Sequence, residues 1–222
     1  MEGWWVEMSN ICYDLDGVLA CFNHGYANLL ISLSGKDLLP KGWRTDPNFP
    51  SVWYWERKYG YGGKWENKAW KEHILVNGWF WERLDPLPNM EEVFRQINRL
   101  AREGHQVYFL SHRQGKDAKR QSEKWLYAQG IDYPTVLLVE KSPDKVPLLK
   151  ALNIHFYVDD KLETMNELMQ TADDERWRMD GRGFYLLDRP YNRTGRRNDV
   201  SVAISVKAAM VGAGLWRVGD AS

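Results

Sequence analysis

Apolar and polar residues alternate along the chain with two periods, one typical of buried strands and one typical of amphipathic helices. Short apolar runs are separated by segments in which apolar residues recur every three or four positions, as at Val93, Ile97 and Leu100. This alternation predicts an α/β fold, a Rossmann-like three-layer α/β/α core with a parallel sheet. The predicted strands are residues 10–13, 106–110, 135–139, 154–158 and 183–187. The predicted helices are residues 89–103 (capped by Asn89 and Glu92), 116–129, 145–152, 162–171 and 199–211.

Residues 22–88 do not show this alternation of strands and helices. They lack clean strand runs and contain seven of the 12 tryptophans, all between Trp43 and Trp81. We interpret them as a small inserted helical cap, with helices over residues 54–61 and 67–75. The catalytic core then consists of residues 1–21 and 89–222. Most of the tryptophan rings are expected to form the core of the cap itself, because rings of this size are usually buried.

Composition and charge exclude several classes of protein. Lys plus Arg equals Asp plus Glu at 30 each, so net charge indicates neither a nucleic-acid nor a membrane partner. No apolar stretch reaches the roughly 20 residues of a membrane span, and no signal-like leader is visible. The cysteines, Cys12 and Cys21, are too few for a disulfide framework and are expected to be reduced. We therefore expect a cytoplasmic protein.

Carboxylates follow the predicted strands at the points where the strands end. Asp14 and Asp16 follow the first strand, Ser111 follows the second core strand, and Asp159 with Asp160 follows the strand at residues 154–158. The carboxyl ends of parallel strands share one edge of the sheet, where ligands bind in such folds. Several carboxylates at one edge repel each other, and a hard divalent cation with oxygen ligands removes that repulsion. The pattern predicts a Mg²⁺ site at this edge.

These residues resemble the four motifs of the haloacid dehalogenase-like (HAD) hydrolase superfamily. Asp14 and Asp16 match its opening D-x-D, Ser111 matches its Ser or Thr, and the acidic pair matches its last motif. The motif lysine is either Lys141, which follows a strand, or Lys145, which begins the helix leading to the acidic pair. We favour Lys145, as in nucleotidase-like members. The resemblance covers about residues 9 to 190.

The resemblance implies a phosphatase that forms an aspartyl-phosphate. Asp14 would attack phosphorus, and Asp16 would protonate the leaving oxygen and then activate water. Ser111 and Lys145 would bind and neutralise the phosphoryl oxygens. The implied Mg²⁺ ligands are the Asp14 side chain, the Asp16 backbone carbonyl and Asp160. Asp159 would help to position these ligands without binding the metal itself.

Two branches of the superfamily resemble this chain more closely. The 5'-deoxyribonucleotidase branch shares the D-x-D-G-V-L-A opening, a small helical cap and a segment like residues 186–192. The 3'-phosphatase domain of polynucleotide kinase-phosphatases has a stretch similar to Ser111, His112 and Arg113, and usually has Arg where this chain has Lys161. Both branches act on nucleotide phosphates. Further candidate substrate contacts are Phe22, Trp53, Trp55, His112, Arg113 and Lys161.

A cap over the site favours a small phosphate monoester over a polymer end. We therefore predict a nucleoside 5'-monophosphatase. One alternative is a 3'-end phosphatase acting on DNA or RNA. Another is a non-catalytic module that holds nucleic acid with tryptophans and the arginines of residues 176–197, although these arginines have acidic neighbours that can pair with them.

Overall fold

A computed structural model of the chain describes residues 8–46, 49–76, 79–171 and 183–217. Six parallel strands form one sheet in the order β3-β2-β1-β4-β5-β6. This confirms the predicted Rossmann-like α/β core. The strands are β1 (Asn10–Tyr13), β2 (Gln106–Ser111), β3 (Thr135–Leu138), β4 (Phe156–Asp159), β5 (Gly183–Leu187) and β6 (Ser201–Ala203).

Eight α-helices and several shorter turns lie within the described residues. The α-helices are α1 (Phe22–Ser34), α2 (Trp55–Lys58), α3 (Lys64–Lys68), α4 (Glu91–Arg102), α5 (Ala118–Ala128), α6 (Lys145–Ala151), α7 (Leu162–Thr171) and α8 (Val206–Gly212). A π-helical segment spans Ala69–Ile74, and 3₁₀ turns span Trp81–Arg83, Ser142–Asp144 and Pro190–Asn192.

Helices cover both faces of the sheet. Successive residues of a strand point to opposite faces, so neighbouring residues of β1 pack against different helices. Ile11 and Tyr13 of β1 belong to the hydrophobic cluster that includes buried residues of α4, α5 and α8. Cys12, between them, belongs to a second cluster formed with α6 and α7. The central strands are therefore buried on both sides, as expected for a parallel sheet.

The segment between β1 and α4 has an aromatic interior of its own. The Phe22 ring on α1 stacks on Tyr26 at 5.4 Å and on Trp81 at 5.8 Å between centroids. Tyr26 and Trp81 are buried, as is Trp55, whereas Trp53 is 41% exposed. Most rings of this segment thus support its own packing, and a few remain available at the surface. Its separation into a cap domain over residues 22–88 stays a prediction.

Four predicted helices differ from the observed ones, three of them in the chain up to α4. Asn89 has φ of 62°, and α4 begins two residues later at Glu91, so Asn89 forms a turn before the helix and does not cap it. The predicted cap helices, residues 54–61 and 67–75, are replaced by the four-residue α2 and by α3 with the π-helical segment. Glycines at 60, 62 and 63 interrupt the helical backbone there.

The predicted helix over residues 199–211 is in fact β6 followed by α8. β-Branched Val200, Val202 and Ile204 alternate with small residues, a pattern that favours a strand. Ser205 then caps α8, since its Oγ accepts a hydrogen bond from the Ala208 amide.

Both cysteines are free thiols, with Cys12 buried and Cys21 partly exposed, as expected from their number. Across the part of the chain that the structure describes, no helix has the length and apolar character needed to cross a membrane.

Candidate active site

The sheet places its chemistry-bearing residues at one edge. Asp14 directly follows β1, and its amide donates a hydrogen bond to the Val158 carbonyl of β4 at 3.0 Å. Ser111 ends β2 and Asp159 ends β4, and these strands flank β1 on its two sides. Residues from three neighbouring strand ends are thereby brought together, as the sequence predicts.

Three acidic side chains and one lysine form the centre of the site. Ligand oxygens of Asp14, Asp159 and Asp160 all lie within 4.8 Å of one another, and all three residues are buried. The Lys145 Nζ lies 2.9 Å from Asp14 Oδ2 and 3.1 Å from Asp159 Oδ2. The lysine side chain is only 3% exposed, so it neutralises part of the acidic charge without competition from water.

Burial and mutual repulsion act differently on the three carboxyl groups. Burial raises the pKa of Asp14, and the charges of Asp159 and Asp160 raise it further against the opposing effect of Lys145. Burial, with the charge of Asp159, raises the pKa of Asp160 to about 7. The pKa of Asp159 is lowered despite burial, chiefly because Lys145 stabilises its charged form.

The surroundings of the acidic pair fix both of its side chains. Asp159 accepts hydrogen bonds from the Tyr157 hydroxyl at 2.6 Å and from the Lys161 amide at 2.8 Å. Asp160 accepts one from the Tyr191 hydroxyl, and Asn192 Nδ2 donates to the Asp160 carbonyl at 2.7 Å. The carboxylates are thus held in place before any ligand arrives.

The donor set fits a magnesium ion. All its side-chain ligands are carboxylate oxygens, which hard divalent cations prefer. Burial is the main cause of the raised pKa values of Asp14 and Asp160, and a bound cation would favour their charged forms.

Gly17 makes room for the acidic cluster. Its φ is +78°, a conformation that side chains disfavour, and a Cβ placed there would lie 2.0 Å from Asp160 Oδ2. The Arg189 Nη2 donates to the Gly17 carbonyl at 2.8 Å and fixes this turn from the other side. A side chain at position 17 would therefore displace a carboxylate of the cluster.

The Asp16 side chain lies apart from the acidic cluster. Arg113 donates to both of its oxygens, from Nη2 at 2.8 Å and from Nε at 3.0 Å, and the Ser111 hydroxyl lies 3.5 Å away. The guanidinium is fully buried against the rings of Trp81 and Trp125, at 5.0 and 5.7 Å from their centroids. Arg113, predicted as a substrate contact, therefore contacts Asp16. The assignment of the Asp16 carbonyl to the metal stays a prediction.

Lys145 and Lys141 lie in different environments. Lys145 is buried against Asp14, whereas Lys141 is exposed and its amide donates to Asp144 Oδ2 at 3.1 Å. The His112 ring lies 2.6 Å from the Glu140 carbonyl oxygen at the rim. Of the two candidate lysines, only Lys145 is positioned for chemistry at Asp14.

A pocket of about 440 Å³ opens over this edge of the sheet. Its floor includes Asp14, and its walls come from the aromatic segment between β1 and α4. Arg113 and Asp159 do not line it, and each contacts a side chain that does. The predicted site residues that line it are Asp14, Asp16, Phe22, Trp53, Trp55, Ser111, His112, Lys145, Asp160 and Lys161.

Sequence reasoning missed several residues of this site. Tyr191 and Asn192, which hold Asp160, lie in a segment whose resemblance to the nucleotidase branch was the available signal. Tyr26 and Glu56 line the pocket from the inserted segment, and no motif marks them.

The arginines of the tail are largely paired with acids where they are described. Arg193 and Arg196 both contact Asp188, and Arg197 contacts Asp199. Arg176, Arg178 and Arg182 lie outside the described residues. This pairing favours the interpretation of a solvated charged surface over a nucleic-acid site.

The fold and the site define an α/β protein with a buried acidic cluster at the carboxyl edge of its sheet. No protein-family model matches the chain, and no curated protein matches its sequence. The fold is shared with solved HAD hydrolases. A haloacid dehalogenase-like hydrolase from Streptococcus pneumoniae is 11% identical, with a TM-score of 0.54 over 94% of this chain and 99% of that one.

Two further solved structures have the same fold. A haloacid dehalogenase-like hydrolase from Burkholderia xenovorans LB400 is 11% identical, with a TM-score of 0.53 over 94% of this chain and 99% of that one. A HAD-superfamily hydrolase of subfamily IA from Geobacter sulfurreducens PCA is 10% identical, with a TM-score of 0.50 over 94% and 97%. At these identities the likeness establishes the fold alone.

Proposed function

We propose that the chain is a Mg²⁺-dependent phosphomonoester hydrolase of the HAD type. The observation that carries this proposal is the position of Asp14, which lines the pocket, contacts buried Lys145 at 2.9 Å and shares an acidic cluster with Asp159 and Asp160. A carboxylate beside a fixed ammonium group and a cation site is suited to attack on a phosphate ester.

Asp14 is the nucleophile in this proposal. One of its oxygens forms a bond to phosphorus as the bond to the ester oxygen breaks, which leaves an aspartyl-phosphate. Water then attacks this phosphorus and releases inorganic phosphate and free Asp14. Asp14, Asp160 and the Asp16 carbonyl would hold a magnesium ion, which would supply the positive charge that lets an anionic carboxylate approach a phosphate dianion.

Asp16 serves as the general acid and base. It gives a proton to the departing ester oxygen in the first half of the reaction and takes one from water in the second. Lys145 neutralises phosphoryl charge, and the Ser111 hydroxyl donates a hydrogen bond to a phosphoryl oxygen. Asp159 holds Lys145 in place through their 3.1 Å contact.

Nucleoside 5'-monophosphates are the substrates that the pocket suits best. A volume of about 440 Å³ lies within the range typical of small-molecule sites, and Phe22, Trp53 and Trp55 line the wall. Aromatic side chains stack on any base, with a gain of about 1–3 kcal/mol per base. Three of the four described arginines between residues 176 and 197 are paired with acids, namely Arg193, Arg196 and Arg197, so we place polynucleotide 3'-ends second.

The test is phosphate release from a panel of nucleoside 3'- and 5'-monophosphates with Mg²⁺. We expect the 5'-monophosphates to be hydrolysed, Asp14→Asn to abolish turnover, and the exposed control Asp132→Asn to retain it. Activity that survives Asp14→Asn would exclude the aspartyl-phosphate. A 3'-phosphorylated oligonucleotide that outcompetes mononucleotides would favour the 3'-end phosphatase. Salt-sensitive nucleic-acid binding without turnover would favour the binding module.

A further inference from the structure

The inserted segment between β1 and α4 forms one wall of the pocket. This wall carries polar groups that the proposed phosphate chemistry does not use. Tyr26 of α1 and Glu56 of α2 both line the pocket that contains Asp14, together with Asn23 and Trp70. None of them belongs to the acidic cluster at the sheet edge. They therefore face whatever part of a substrate lies away from its phosphate.

Glu56 is a buried acid without a cationic partner. Glu56 is 7% exposed, and no ion pair joins its carboxylate to a Lys, Arg or His of the described residues. Neighbouring Arg57 pairs with Glu66 at 3.4 Å. Burial raises the pKa of Glu56, and the charge of Glu66 adds to this effect. The carboxylate interacts with its own backbone amide, and a ligand amino group would supply a further donor to it.

The Tyr26 hydroxyl is a second buried group in the same wall. Tyr26 is 4% exposed, and its Oη has no hydrogen-bond partner among the described residues. Its ring packs against Trp70 at 6.1 Å between centroids. Burial raises the pKa of this hydroxyl, and the Trp70 indole, a polar neighbour, acts to lower it. Because an indole N–H can only donate, the hydroxyl keeps hydrogen-bonding capacity for a ligand.

Asn23 adds hydrogen-bond donors of fixed orientation. The Trp55 indole Nε1 donates to Asn23 Oδ1 at 3.0 Å. Because an indole N–H can only donate, the amide oxygen must face Trp55, and the amide N–H groups remain for another partner. The wall thus combines acceptors at Glu56 and Tyr26 with donors at Asn23.

We propose that Glu56 and the Tyr26 hydroxyl form a subsite for an amino group on the part of the substrate remote from its phosphate. This inference rests on the proposed phosphatase function and names the substrate class of the same site. Aromatic rings around the subsite, including Phe22 and Trp70, suit either a flat base with an exocyclic amino group or an aliphatic ammonium group. The shared chemistry is a nitrogen that donates to a buried carboxylate.

The experiment measures binding by titration calorimetry to the Asp14→Asn variant with Mg²⁺, so that it does not depend on turnover. The probes are matched pairs whose second member lacks the amino group and adds no ring N–H. They are cytidine against pyrimidin-2-one riboside 5'-monophosphate, adenosine against purine riboside 5'-monophosphate, and ethanolamine phosphate against 2-hydroxyethyl phosphate. We expect the amino member to bind about tenfold more tightly in at least one pair, the effect of one hydrogen bond to a charged group. The pair that shows the preference identifies the source of the amino group.

Glu56→Gln, combined with Asp14→Asn, is expected to remove this preference, because Gln offers both a donor and an acceptor. Tyr26→Phe should reduce it, and Glu72→Gln, on the exposed side of the same segment, should leave it intact. Equal binding within all three pairs, or a preference unchanged in Glu56→Gln, would overturn the subsite. If wild type releases no phosphate from any probe, the phosphatase proposal fails separately.

Discussion

Arg113 binds the carboxylate of Asp16 through two of its nitrogens, with Nη2 2.8 Å from Oδ1 and Nε 3.0 Å from Oδ2. Its third nitrogen, Nη1, donates to the Ser122 hydroxyl of α5 at 3.0 Å. The guanidinium is therefore fixed by the core and in turn fixes Asp16. A planar fork of this kind specifies orientation as well as charge. In the proposed reaction, Arg113 is a positioning residue for the group that moves the proton.

Arg113→Lys keeps the charge and removes the fork. We expect kcat on nucleoside monophosphates to fall by about 10²-fold, the lower range for loss of general acid–base catalysis, with KM changed little. Steady-state kinetics would check the expected split between kcat and KM.

An activated aryl phosphate provides the control for this variant. Its leaving group departs without a proton, so the first half of the reaction does not need Asp16 as an acid. We expect Arg113→Lys to lose less activity on the aryl ester than on a nucleotide. Equal losses on both would indicate that the variant disturbs the fold or phosphate binding instead.

The meeting of Asp14, Ser111 and the acidic pair could be predicted because the sheet topology alone decides it, whereas Lys145 was favoured over Lys141 by resemblance to nucleotidase-like members. Parallel strands end at one edge, so residues that follow each strand must be neighbours whatever their rotamers. The structure places all of them around the pocket or in direct contact with residues that line it.

Contacts that depend on side-chain direction could not be predicted. The Arg113 guanidinium reaches Asp16 because Trp81 and Trp125 confine it, and neither ring is near it in sequence. Tyr191 reaches Asp160 from a 3₁₀ turn after β5. Strand β6 lies within a predicted helix, although the alternation of Val200, Val202 and Ile204 with small residues was an available signal for a strand.

Gly17→Ala tests whether the turn after Asp16 must leave room for Asp160. A Cβ at position 17 would lie 2.0 Å from Asp160 Oδ2, whereas one at Gly35 would meet no atom within 4 Å. Both glycines have positive φ, so each alanine variant loses about 1–2 kcal/mol from backbone strain alone. We expect Gly17→Ala to lose further stability and its activity, and Gly35→Ala to stay active. Urea unfolding and phosphatase assays would check this. Equal stability and equal activity of the two variants would contradict it.

Lys145→Met should destabilise the protein as well as inactivate it. The change leaves Asp14 and Asp159 buried without their cation, and breaking a buried pair in this way costs about 3–5 kcal/mol. Lys141→Met, at an exposed lysine, should change the free energy of unfolding by less than about 0.5 kcal/mol. Denaturant unfolding in EDTA is the measurement. A small effect at Lys145 would show that the carboxyl groups become protonated at little cost.

Magnesium should stabilise the wild-type protein through the acidic cluster. A ligand that binds only the folded state raises Tm with its concentration. We expect millimolar MgCl₂ to raise the Tm of wild type, and Asp160→Asn to abolish most of that shift because one of three clustered carboxylates is lost. Asp132→Asn is the exposed control and should respond like wild type. An equal Tm shift in Asp160→Asn would place the cation elsewhere.

His105 should make folding sensitive to acid far from the proposed active site. Its Nδ1 accepts a hydrogen bond from the Ser9 amide at 3.2 Å, and burial lowers its pKa. The unfolded chain, with a pKa of about 6.5, then binds a proton more readily, so stability falls as pH drops through and below that value. Relative to His105→Gln, whose side chain does not titrate in this range, wild type should lose stability between pH 7 and pH 5. Parallel pH dependences in urea unfolding of the two proteins would refute this role of the imidazole.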